Sequence, residues 1–465
     1  MSLRKRSLLY SNTMKTKENR VSTASAARPG IYIHIPFCVR KCFYCDFVSY
    51  SGCSQEAQKK YFESLDREIA FKFPGTEKHK FRNGGKPSEA EKRIPAQAPP
   101  AKTAYQPLCA DSAADTLFVG GGTPTSVDPR YIAELVSRLP LTNDAELTIE
   151  SNPGTLTPEK LDIYRGAGFN RLSIGVQSFD DGELRLLGRI HDAAEAEKTI
   201  EMSREHGFDN INLDLMFGFP GQTLDSWKRT LDKALSFRPE HISFYSLQIE
   251  EGTPFYDMFR SGELEQIPDE LNRDMYHAAV SMLLEHGYVH YEISNASLPG
   301  RECRHNLKYW SMIPYIGLGA GAHSFDGSTR MSNHAGIDEY CRLTESFSYH
   351  TGMHCRYSGS LSIESKDEAF REESENSGCQ DGSGYSFERE TTDDLISDFM
   401  FTGLRLVRGV SDRYFRKLFG ISLEERFGEQ ISKYTSEGLM TFENGRLAFT
   451  GRGLDIANSI LIDFI

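Results

Sequence analysis

The stretch Tyr32-Ile-His-Ile-Pro-Phe-Cys38-Val-Arg-Lys-Cys42-Phe-Tyr-Cys45-Asp46 carries three cysteines in eight residues, spaced C-x3-C-x2-C. The run Ile31–Ile35 reads as a short apolar strand, so the cysteines lie on the loop that leaves it. Thiolates this close can turn toward one centre, and soft sulfur ligands favour an iron–sulfur cluster or zinc. Three thiolates on a four-iron cube leave one iron free to bind a small molecule. Zinc sites usually complete a tetrahedron with a second cysteine pair or a Cys/His pair, and no second pair appears here. Cys53 lies eight residues on and could be a fourth ligand, but nothing around it marks it as one. Nine cysteines, an odd number and mostly scattered, do not suggest a disulfide framework. Spacing alone favours the cluster and leaves zinc open.

Beyond this loop a rhythm of strands and helices follows. Thr116–Val119 is apolar and ends in Gly120-Gly-Gly-Thr-Pro-Thr125. A helix fits Pro129–Leu139, and Leu147–Glu150 is a strand ending at Ser151-Asn-Pro-Gly154. Thr157-Pro158 is a helix start, with a capping threonine and proline at the first position. Arg171–Val176, Ile211–Phe217 and His241–Ile249 complete six strands, with helices near Gln55–Phe71, Ala193–His206 and Leu224–Phe237. Alternating strands and helices imply a parallel sheet with right-handed crossovers. Six units suggest an open, incomplete barrel, which carries its chemistry at the C-terminal strand ends. There stand Gly120, Gly121, Gly122, Glu150, Gln177 and Asp214, with Arg189 after the fourth strand. Any one of them suits a structural role; all at one barrel end beside the cysteines suit a ligand site.

At 465 residues the chain has room for two or three domains. Its 26% charged residues and mean hydropathy of −0.47 describe a water-soluble composition without a 20-residue apolar run. A net charge of −13 argues against a general nucleic-acid surface. The expected division is a disordered basic tail (1–30), a (βα)6 core (31–250) with a disordered insert at about 72–112, an extension (251–345), a second disordered insert (346–391) and a C-terminal domain (392–465). Cys109, Cys355 and Cys379 fall in the inserts as free surface thiols. The tail reads as a disordered extension, as a start upstream of Met14, or as an organelle presequence, so the cytoplasm is the default location and a mitochondrial address stays open.

The blocks Tyr32-Ile-His-Ile-Pro-Phe-Cys38…Cys42-x-x-Cys45, Gly120-Gly-Gly-Thr-Pro-Thr125, Ile149-Glu-Ser-Asn-Pro153, Ser173-Ile-Gly-Val-Gln-Ser-Phe179 and Ile211-Asn-Leu-Asp-Leu215 resemble the radical SAM superfamily. Within it the chain is similar to the branch of oxygen-independent coproporphyrinogen III oxidases and HemW-type haem chaperones. The resemblance implies an α/β fold, a partial TIM barrel (βα)6 with a smaller α+β, winged-helix-like C-terminal domain. It implies a [4Fe–4S] cluster on Cys38, Cys42 and Cys45, with S-adenosylmethionine on the open iron. Tyr32, Gly121, Gly122, Thr123, Glu150, Gln177, Arg189 and Asp214 match the cofactor-contacting positions, and Tyr44 matches a position lining the same cavity. Acids suit the cofactor's amino group and ribose hydroxyls, and arginine suits its carboxylate.

Two features separate the branches. Oxidases of this kind typically carry a fourth cysteine two residues after the third, where this chain has Phe47. The segment Cys303-Arg-His-Asn-Leu-Lys-Tyr-Trp310 contains H-N-x-x-Y-W, which looks like a haem-binding signature of the chaperones. His305 offers a nitrogen for haem iron, and Tyr309 and Trp310 offer flat apolar surface for a porphyrin. Cys303 and His323 are weaker candidates for the same iron. The expectation is a haem chaperone that hands haem to acceptor haemoproteins, membrane-bound respiratory proteins among them, with a homodimer left open. Whether it also performs radical chemistry is not readable, and the alternative is coproporphyrinogen III oxidase activity. At the C-terminus, Leu439–Phe449 reads as a hairpin turning at Asn444-Gly445. With the helices before it, it resembles a winged helix; DNA binding is one reading, and the acidic balance favours a lid over the barrel mouth instead.

Overall fold

A computed structural model of the chain describes residues 27–74, 113–345, 347, 379–380 and 385–465. The expectations for residues 1–26, for 75–112 and for most of the second insert, with Cys109 and Cys355, lie outside the described residues.

Six strands pair in chain order, all parallel: β1 (Gly30–Ile35), β2 (Ala114–Gly121), β3 (Leu141–Ser151), β4 (Arg171–Gln177), β5 (Ile211–Phe217) and β6 (His241–Ser246). The crossovers are helices α1 (Gln55–Lys72), α2 (Pro129–Val136), α3 (Pro158–Gly166), α4 (Ala193–Glu205) and α5 (Leu224–Ser236). Each begins where a short polar side chain satisfies a free backbone N–H: Ser54, Asp128, Thr157, Asp192 and Thr223 all accept such a bond. The strand before each helix is fixed by alternation. Ile31, Ile33 and Ile35, like Leu172 and Ile174, Leu213 and Leu215, or Ile242 and Phe244, are fully buried in the core formed with the helices. Burying one such side chain contributes about 1.5–3 kcal/mol.

The intervening residues face the other way: Tyr32, Phe118, Glu150, Arg171 with Ser173, Asn212 with Asp214, and Ser243 with Tyr245 all wall one interior cavity. Parallel sheets in α/β proteins are normally apolar on both faces. A polar inner face across four consecutive strands, β3 to β6, is therefore costly unless it serves a ligand.

The six strands do not close on themselves. Beyond β1 lies a seventh parallel strand, Tyr315–Leu318, which the sequence reading treated as a motif rather than a strand. Antiparallel strands His323–Phe325, Thr329–Asn333, Tyr385–Arg389 and Cys379–Gln380 continue that edge, and Asn295–Ser297 and Val289–Glu292 extend the other, giving a 13-stranded sheet among the described residues. The strand Tyr385–Arg389 corrects the expectation of an unstructured insert reaching residue 391. Its backbone completes the open edge of Thr329–Asn333, a pairing that polar composition does not disclose.

The C-terminal residues build a second core, around Ile396, Phe399, Phe415, Leu423, Phe427 and Leu447, and Met312 and Phe325 reach into it from the extension. Helix α7 (Thr392–Gly403) opens this unit, a three-stranded sheet lies within it, and the short helix Ala457–Leu461 and the turn Ile462–Phe464 end it; α6 (Arg304–Trp310) lies between the two cores. The hairpin Met440–Glu443 and Arg446–Phe449 turns at Asn444 and Gly445, both at positive φ (52° and 69°), as a two-residue turn of this kind requires.

Candidate functional site

The cysteine loop leaves β1 at the C-terminal end of the barrel. Cys38, Cys42 and Cys45 are all half-buried thiols. Cys38 Sγ lies 3.5 Å from the Thr123 hydroxyl, and Arg189 Nη1 lies 3.4 Å from Cys42 Sγ. Burial pushes the Cys38 and Cys45 thiols up, and the neighbouring cysteines add to the shift. Among the described residues no three His, Cys, Asp or Glu side chains draw in tightly enough to share one metal ion. Three thiols on one loop supply soft sulfur donors of the kind that iron–sulfur clusters take.

The glycine run after β2 packs directly against this loop. Gly122 N donates to the Ile35 carbonyl at 2.9 Å and Thr123 N to the Phe37 carbonyl at 2.7 Å. Gly121 has φ +110°, a conformation that side chains resist, and a Cβ there would strike the His34 ring at 2.5 Å. A Cβ on Gly122 would lie 2.7 Å from the Phe37 carbonyl oxygen. The backbone can approach here only because both residues are glycine.

Two carboxyls, Glu150 and Asp214, line the barrel cavity. Glu150 Oε2 accepts from Gly121 N at 3.1 Å. Burial, with the nearby Asp214, pushes the Glu150 carboxyl up to about 8. Asp214 is also pushed up by burial, although Ser173 Oγ (3.0 Å) and Asn212 Nδ2 (2.8 Å) donate to it. These acids share a cavity of about 280 Å³ with Tyr32, Arg171, Tyr245, His305 and Tyr309. Carboxyls held near neutrality by burial ionise when a cation arrives, so the cavity's chemistry fits a cationic ligand. Arg189 crosses between the barrel and the loop, donating through Nη2 to Asn152 Oδ1 and the Gly175 carbonyl, with Nη1 3.4 Å from the Tyr44 hydroxyl. Gln177 ends β4 at a φ of 65° and accepts from the Tyr245 hydroxyl at 2.9 Å. A non-glycine residue in this region is strained, and such strain gathers at functional sites.

A second, larger cavity of about 560 Å³ opens beside the first. Its walls include Asp46, Phe47 and Val48 from the cysteine loop, Tyr309, Trp310 and Met312 from α6 and the turn after it, His323, Phe325 and Arg330 from the extension strands, and Thr402 of α7. Tyr32 and Tyr309 line both cavities. The Arg405 guanidinium lies 4.9 Å over the Trp310 ring, and Arg330 pairs with Asp398 and Glu390, so the C-terminal unit is fastened to this wall.

The structure thus brings the cysteines, the glycine turn, Glu150, Asp214, Gln177, Arg189, Tyr44 and Tyr32 together at one barrel end. It divides the H-N-x-x-Y-W segment: Tyr309 and Trp310 face the larger cavity, whereas His305 turns inward and is 1% exposed. His305 Nδ1 is 2.9 Å from Thr116 Oγ1 and Nε2 is 2.8 Å from the Tyr309 hydroxyl, so both ring nitrogens are engaged. Burial pushes its imidazole down to about 3. Cys303 is fully buried near Glu146. The sequence reading missed Asn152, which bonds Arg189 and Thr123 (Nδ2 to Oγ1, 2.7 Å), and Arg330. The Asn-Pro turn after β3 was a signal for the former; nothing in the sequence marked the latter.

Residues 104–234 match the radical SAM superfamily and residues 391–456 match the HemN C-terminal domain. The heme chaperone HemW of Bacillus subtilis is 34% identical over 439 residues, covering 93% of this chain and 98% of the relative. HemW of Escherichia coli is 36% identical over 301 residues, covering 63% of this chain and 69% of the relative. The solved structure of coproporphyrinogen III oxidase (HemN) from Escherichia coli superposes with a TM-score of 0.69 at 20% identity, covering 94% of this chain and 90% of the other, which shows a shared fold. With a cysteine loop on a six-stranded parallel core, a HemN-type C-terminal unit and a near full-length relative at this identity, the chain belongs to the HemW family of the radical SAM superfamily.

Proposed function

We propose that the chain binds haem in the larger cavity and passes it to acceptor haemoproteins, with a [4Fe–4S] cluster and S-adenosylmethionine held alongside. The observation that carries this reading is the 560 Å³ cavity itself, walled by Tyr309 and Trp310 on one side and by Phe47 of the cysteine loop on another. Its volume lies in the range of ligand sites, and its flat aromatic walls suit a porphyrin face. The curated relatives named heme chaperones support the same cargo.

Cys38, Cys42 and Cys45 are the residues that would hold the cluster. Tyr32, Glu150 and Asp214 would face the cationic part of S-adenosylmethionine, Gly121 and Gly122 allow backbone approach, and Thr123, Gln177, Arg189 and Tyr44 complete the rim. When bound, the cluster supplies an electron to the sulfonium cofactor. The chain's own part is to orient that cofactor and to keep water from it. Phe47, 65% exposed at the lip of the larger cavity, leaves the cargo reachable from outside, which suits transfer rather than permanent retention. Acceptors, membrane-bound respiratory proteins among them, would meet this lip.

Anaerobically reconstituted protein titrated with haem should show a shifted Soret band at about one haem per chain. Absence of that shift, or conversion of coproporphyrinogen III to protoporphyrinogen IX under reducing conditions, overturns the reading.

A further inference from the structure

Three histidines border the paired cavities: His34, His305 and His323. Two of them are occupied. His34 has Nδ1 2.9 Å from the Tyr32 hydroxyl and Nε2 2.7 Å from the Val48 carbonyl. His305 is held between Thr116 and Tyr309, with no exposed ring edge. To ligate iron, either would have to give up a buried hydrogen bond and leave its partner unpaired.

His323 differs on each count. It is exposed, it lines the larger cavity, and neither ring nitrogen has a hydrogen-bond partner among the described residues. Its strand explains its direction. In His323–Phe325 alternate residues share a face, so His323 and Phe325 both look into the cavity while Ser324 turns away to accept a bond from Gly317 N at 2.9 Å. The antiparallel neighbour sets Arg330 opposite Phe325 on the same face, with its guanidinium 5.1 Å over that ring. The edge strand Thr329–Asn333 is in turn covered by Tyr385–Arg389, so the backbone that carries His323 sits inside a sheet.

We propose that His323 is the axial ligand of the haem iron, and that His305 is a positioning residue that fixes the Tyr309 wall. The inference rests on the haem-binding reading above. With neither ring nitrogen engaged among the described residues, His323 can present a nitrogen lone pair to the cavity without breaking a buried hydrogen bond. Ligation adds a nitrogen–iron bond and needs no proton to leave a neutral ring.

The experiment is a haem titration of the full chain, wild type against His323→Ala and His305→Gln, with electron paramagnetic resonance and resonance Raman spectra of the complexes. The wild type is expected to show nitrogen ligation. His323→Ala should weaken binding about tenfold, lose that signature and regain it when free imidazole is added. His305→Gln should weaken binding by a smaller factor and keep the signature. A His323→Ala complex with unchanged ligation, or loss of ligation in His305→Gln but not in His323→Ala, overturns the inference while leaving haem binding intact. A wild-type protein that takes up no haem overturns both.

Discussion

Nε2 of His305 and the hydroxyl of Tyr309 lie 2.8 Å apart, one helical turn from each other on α6, and the bond holds the Tyr309 ring as the partition between two cavities. Residues four apart on a helix share a face, so H-x-x-x-Y is enough to set this contact once Thr116 has fixed the other edge of the imidazole. Tyr309→Phe should therefore leave a buried ring nitrogen without a partner. A loss of about 1–3 kcal/mol in unfolding free energy is expected by denaturant titration of the cofactor-free protein. Unchanged stability would mean that the bond is absent in solution.

Trp310 presents its indole to the larger cavity with Arg405 stacked at 4.9 Å. Replacing it by alanine removes a flat apolar wall. Haem affinity in an absorbance titration should fall about tenfold, in line with roughly 1–1.5 kcal/mol for a lost aromatic contact. The buried Trp227, whose Nε1 donates to the Met275 carbonyl at 2.8 Å, serves as the contrast. Trp227→Phe should lower stability without a comparable effect on haem affinity.

Glu150 sets a pH dependence whose sign can be worked out. Its carboxyl is raised to about 8 in the folded chain, against an ordinary value of 4.5. Between those values the folded state binds more protons than the unfolded one, so the contribution of Glu150 to stability is highest below pH 4.5 and falls as pH rises toward 8. A cation placed beside Glu150 reverses the preference and expels the proton. S-adenosylmethionine should then bind more tightly as pH is raised toward 8 and level off beyond it. Calorimetry in buffers of different ionisation enthalpy should show proton release on binding, and Glu150→Gln should reduce it.

Cys38 lies beside Thr123, Cys42 beside Arg189, and Cys45 N donates to the Cys42 carbonyl at 3.3 Å, whereas Cys53 packs against the barrel core. Serine at any of the first three should reduce reconstituted iron to near zero, and Cys53→Ser should keep it. Equal iron in all four variants would remove the cysteine loop from consideration as the cluster site.

Much of this architecture was legible from short-range chemistry. Thr157-Pro158 announced a helix start because a capping hydroxyl and a fixed φ act locally. Asn444-Gly445 announced a hairpin because few residues tolerate positive φ. The polar strand ends, Glu150, Gln177 and Asp214, followed from the rhythm of strands and helices, which puts a barrel's chemistry at the C-terminal ends of its strands. What stayed hidden was long-range. The sequence offered His305 as an iron ligand, and only the contact with Thr116, 189 residues earlier, shows the ring to be engaged. His323 carried little signal because its direction depends on the pairing of three short strands. Arg330 carried none, since its place is set by register across from Phe325.

Tyr32 has a face in each of the two cavities, and its hydroxyl is tethered to His34. A guest that displaces this ring alters the space left for the other, with no hinge or domain swing required. Thermodynamics makes such an influence mutual: whatever factor the sulfonium compound imposes on porphyrin affinity, the porphyrin must impose in return. The wall that Tyr32 shares with Tyr309 thereby ties what one compartment can hold to what the other contains.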